Sequence, residues 1–73
     1  MDAAQRTKFI AAWKVQIDRM DQMDLASLWR NAPAGHPCFD TVNWPEIHEH
    51  FKARFASLGG MTPAVSKAIG WKD

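Results

Sequence analysis

Cysteine occurs once in this chain of 73 residues, at Cys38. An internal disulfide framework is therefore excluded, and a lone thiol fits a reducing compartment. No apolar run is long enough to cross a bilayer, and the first residues lack the apolar core of a secretory signal. The expectation is a cytoplasmic protein without a membrane contact, either a monomer or a small homo-oligomer. Charge of one sign is also missing: nine Lys and Arg face eight Asp and Glu, interspersed, for a formal net charge of +1. Small duplex-binding domains usually carry a basic excess, because neutralising phosphates releases counterions. Nucleic acid thus ranks second among partners. There is no glycine-rich phosphate loop, since Gly59 and Gly60 end an apolar stripe where an anion site needs glycines that begin a helix. No segment alternates with the two-residue period of a half-buried strand. At 8.3 kDa one domain over residues 1–73 has no room for a large active-site architecture.

Large side chains are abundant instead. Four Trp, four Phe and four Met supply the core that so short a chain needs, each aromatic ring burying ~150–250 Å². Phe9, Ile10, Trp13, Ile17 and Met20 recur at helical spacing between Arg6, Lys14 and Asp18, predicting an amphipathic helix from Ala3 to about Met20. Asp21 and Asp24 stand as a capping box with Asp in place of Glu. Leu25, Leu28, Trp29 and Ala32 continue one face of a shorter helix that ends near Asn31. Pro33 and Pro37 make the segment from Ala32 to Thr41 a loop. Asn43 as cap, Pro45 in the first turn and Glu46 at the capping-box position then open a third helix over about 44–58. Its stripe is Ile47, Phe51, Phe55 and Leu58, and Gly59 with Gly60 stops it in the left-handed region. Thr62 caps a last short helix in which Val65 and Ile69 face inward before Gly70 and Trp71. The predicted architecture is all-α, a compact bundle of about four helices, two of them short.

Several residue groups carry candidate chemistry. His36, Cys38, His48 and His50 are the residue types of a zinc set. However, His48 and His50 stand two apart on a helix, about 200° from one another, and His36 with Cys38 lacks the spacing that brings two ligands to one ion. Cys38 beside His36 would need an orienting group and an oxyanion site to act as a nucleophile; packing of Cys38 and Phe39 beneath the loop is the simpler reading. Glu46 is expected to cap, and Glu49 and His50 to lie on a solvated face. No catalytic residue, metal or cofactor is therefore expected. From Thr62 to Trp71 the chain looks like the first helix and turn of a repressor-type helix-turn-helix, with Lys67 and Lys72 as candidate phosphate contacts, yet Asp73 comes before any recognition helix.

The tryptophans divide the remaining readings. Trp13, Trp29 and Trp44 fall on or beside inward stripes and read as core rings. Four Trp with four Phe and four Met nevertheless strain a 73-residue interior, and surplus aromatics on small proteins anchor interfaces. Trp29 and Arg30, followed by the proline-stiffened loop through His36 and Phe39, combine residue types of binding hot spots and form the candidate partner-binding surface.

Two stretches also carry a resemblance: Leu28-Trp29-Arg30-x-Ala32-Pro33-x-Gly35-His36-Pro37-x-Phe39-Asp40, and Gly59-Gly60-x-Thr62-Pro63-x-x-Ser66-Lys67-x-Ile69-Gly70-Trp71. Over about a third of the chain they resemble short accessory proteins encoded by tailed bacteriophages. In size and in lacking enzymatic groups the chain is similar to phage proteins that bind host RNA polymerase and redirect or inhibit transcription, and to phage inhibitors of host defence complexes. The resemblance implies a stoichiometric, non-enzymatic protein acting in the host cytoplasm on a host complex, RNA polymerase first.

Overall fold

The structure, a computed structural model, describes residues 2–68. Two reciprocal caps start its first two helices. Asp2 accepts the Gln5 N–H at 2.8 Å while the Gln5 side chain accepts the Asp2 N–H at 3.3 Å, opening α1, Ala3–Arg19. Asp21 and Asp24 repeat the arrangement at 2.8 and 3.3 Å, opening α2, Gln22–Asn31. Only Met20 and Asp21, both extended, separate the two helices, so the chain turns sharply there. After Ala32 the proline-bracketed loop contains Gly35 at φ 83° and closes in a single 3₁₀ turn, Pro37–Phe39. The third helix, α3, runs over Pro45–Ser57, and α4 over Pro63–Ala68. The chain is therefore all-helical, with four α-helices and no strand among the described residues. Ile69, Gly70, Trp71 and Lys72 lie outside the described residues.

The core collects one stripe from each element: Ile17 from α1, Leu25 and Ala26 from α2, Cys38 from the 3₁₀ turn, Ile47, Phe51 and Phe55 from α3, and Val65 from α4. The four-four step of Ile47, Phe51 and Phe55 keeps one side of α3 inward. This makes α3 the axis, packed by α1, α2 and the 3₁₀ turn, with α4 lying on α2.

The start of α3 corrects two expectations. Asn43 is not its cap: Trp44 holds that position and makes no side-chain cap bond. The Asp40 carboxylate takes Asn43 instead, accepting its backbone N–H at 2.9 Å and its side-chain amide at 2.8 Å, along with the Val42 N–H at 3.2 Å. A carboxylate is the stronger acceptor, and these bonds, the Asn43 N–H foremost, hold its carboxyl below the ordinary 3.8. Glu46 likewise closes no capping box. Its carboxylate binds Arg6 Nη2 at 2.8 and 3.0 Å, while Arg6 also donates to the Asn43 carbonyl at 2.8 Å and sits 4.8 Å from the Trp44 ring centroid. A local cap has been exchanged for a clasp between α1 and α3.

The end of α3 follows the glycine reading, with Gly59 at φ 106° and Gly60 at φ 65°. The Gly60 N–H bonds the Phe55 carbonyl at 2.8 Å, and Gln22 Nε2 reaches across from α2 to the Gly60 carbonyl at 2.7 Å. A Cβ at Gly59 would stand 3.1 Å from Gln22 Nε2, whereas one at Gly60 meets nothing within 4 Å. Gly59→Ala is accordingly expected to cost about 1–2 kcal/mol or more, seen as a lower urea midpoint at unchanged slope. Gly60→Ala should cost the backbone share alone.

Candidate docking site

Trp29 is the largest exposed apolar side chain among the described residues. On α2 it stands one turn beyond Leu25 and Ala26, both fully buried, at the edge of their stripe. The residue is 49% exposed, which revises the core reading for this tryptophan, while Trp13 and Trp44 are half-buried against the core. The floor beneath it is aromatic. Ring centroids of Phe39, Phe51 and Phe55 lie 6.2, 6.2 and 5.8 Å from that of Trp29, and Phe39 meets Phe51 edge-on at 5.0 Å. His36 extends the group, 5.8 Å from Phe39 and 5.0 Å from Trp13. The fold thus brings Trp29, Phe39 and His36 into one connected patch, with exposed Arg30 next to Trp29 in the last turn of α2. Phe51 and Phe55, both buried, form its floor. Their four-residue step was visible in the sequence but indicated only a core stripe.

The histidines disperse to different tasks. His36 Nδ1 accepts the Cys38 N–H at 3.1 Å, His48 Nδ1 donates to the Cys38 carbonyl at 2.7 Å, and His50 Nε2 lies 2.8 Å from Asp18 Oδ1. His48 and His50 therefore leave α3 for different neighbours, as their two-residue spacing requires. Cys38 is fully buried, and desolvation pushes its thiol from the ordinary 9.0 up to about 11. At pH 8 this leaves about a hundredfold less thiolate than in the unfolded chain. Cys38 is expected to react with a thiol reagent about a hundredfold more slowly in buffer than in urea.

Lys67 is exposed in the last turn of α4, apart from the aromatic patch in sequence and element, while its suggested companion Lys72 is outside the described residues. No pocket opens among the described residues. The remaining exposed large apolar side chains among the described residues are Val15, Met23 and Val42, each on a different element or turn.

Fold and patch together define a small helical protein whose most distinctive surface is an aromatic one. No family model, curated protein or solved structure matches the chain.

Proposed function

We propose that this chain is a stoichiometric binding protein that docks through Trp29 onto a larger protein complex, as a phage-encoded accessory protein would on host RNA polymerase. The observation that carries this reading is the half-exposed Trp29 ring seated on Phe39, Phe51 and Phe55. A large ring held in place by packing loses little conformational freedom when a partner covers it, and tryptophan is enriched among residues that dominate binding energy. An interface of about 800 Å² per partner would take about a sixth of the 4832 Å² surface. Docking would act by occlusion or by holding one conformation of the target, through differential affinity for its states.

The test is recovery of partners by the tagged protein from nuclease-treated bacterial lysate, read by mass spectrometry and repeated at raised salt. Salt-resistant, stoichiometric recovery of RNA polymerase subunits supports the reading; equivalent recovery of a defence complex replaces the target and keeps the mode. Recovery of nothing, with DNA retained from untreated lysate, favours a nucleic-acid-binding module using Lys67 and Lys72.

A further inference from the structure

Two imidazoles hold the backbone of Cys38, one at its N–H and one at its carbonyl. His36 Nδ1 accepts the Cys38 N–H at 3.1 Å and His48 Nδ1 donates to the Cys38 carbonyl at 2.7 Å. The two bonds respond differently to acid. An acceptor nitrogen must keep its lone pair, so protonating His36 sets one donor against another and abolishes the bond. Protonating His48 leaves its Nδ1–H donating, and an imidazolium at His50 still donates to Asp18. One of the three histidine contacts is therefore lost in acid.

We infer that the His36 to Cys38 bond is an acid-released latch on the loop that carries Phe39, and hence on the aromatic docking face. The surroundings of His36 offer its charged form no carboxylate partner. From α1 the ring meets Trp13; from the 3₁₀ turn, the Cys38 N–H and Phe39; α3 presents His48 to the Cys38 carbonyl. The Cys38 thiol stays neutral, and the Asp40 carboxylate is engaged with Val42 and Asn43. The ion pairs among the described residues, Arg6 with Glu46, His50 with Asp18 and Lys52 with Glu49, do not include His36. Burial lowers its pKa from the ordinary 6.5. A released loop accordingly takes up a proton more readily than a latched one. The latch is complete above 6.5, weakens as pH falls through that value, and levels off below the lowered pKa of the folded ring. Phe39 moves with it, because the loop sets Phe39 against both Trp29 and Phe51.

The latch is a property of the free chain; only its effect on docking rests on the function proposed above. The experiment is amide hydrogen exchange by NMR on the free protein between pH 7.5 and 5.0, corrected for intrinsic exchange. Protection at Cys38 is expected to fall about fivefold, the change that losing one hydrogen bond of ordinary strength produces, while Phe51 in α3 holds. His36→Asn offers a side-chain carbonyl to the same N–H without titrating, and should flatten the profile. His48→Gln should leave the fall in place. In the native chain alone, the Cys38 amide shift must also follow the titration of the His36 ring. A flat native profile, the same fall in His36→Asn, or a Cys38 midpoint displaced from that of His36 would overturn the latch. None of these results bears on whether Trp29 docks.

Discussion

Phe51→Ala is expected to remove about 3–5 kcal/mol of folding stability. The side chain is fully buried on the axial helix, with Phe39 at 5.0 Å, Phe55 at 5.8 Å and Trp29 at 6.2 Å between ring centroids. Three rigid rings cannot close over the space a fourth leaves, so a cavity persists and its lining loses dispersion contacts. A domain of this size holds on the order of 4–11 kcal/mol in total, which makes the loss a large fraction of the whole. Urea unfolding should show a midpoint shifted far down at unchanged slope, and Phe51→Leu should recover much of it. A loss below about 1 kcal/mol would mean that α3 is not the axis of the bundle.

Trp29→Ala is expected to act differently, lowering affinity for the captured complex by about 2–4 kcal/mol, roughly 30- to 1,000-fold, while the chain still folds. About half of the residue is already in water, so its burial within the chain contributes only about 2 kcal/mol to stability. Binding is therefore to be measured where circular dichroism shows the variant fully folded. Val15→Ala, on α1 and 48% exposed in the native chain, provides the contrast: an isolated exposed apolar group whose loss should change affinity little. If Trp29→Ala binds as tightly as the native chain, the ring is a cover for Phe51 and Phe55 and not an anchor. Phe51→Ala should also weaken binding, because it removes the floor on which Trp29 is held.

Helices were the most legible part of this protein. Capping pairs act within four residues, and a stripe such as Ile47, Phe51 and Phe55 repeats with the helix itself, so both are written in neighbouring sequence. Pro45 at the start of α3 and the glycine pair at its end were legible for the same reason. The caps of α3 were misread because local rules cannot see competitors. Asp40, three residues upstream, took Asn43, and Arg6, forty residues away, took Glu46.

The candidate site divides along the same line. Sequence alone determined that Trp29, Arg30, His36 and Phe39 lie on one helix end and the loop after it, and that Cys38 has no partner thiol within the chain. It also determined the all-helical class, through periodicity. Only the tertiary structure decided that Trp29 is half in water while Phe51 is wholly out of it, since both occupy apolar stripes at helical spacing. Burial depends on which elements meet, and the rings beneath Trp29 come from positions ten to twenty-six residues further along the chain. The bond from His48 to the Cys38 carbonyl was equally out of reach. A hydrogen bond with a distant carbonyl has no period and no motif, so the role of His48 emerges only when the loop is laid against α3.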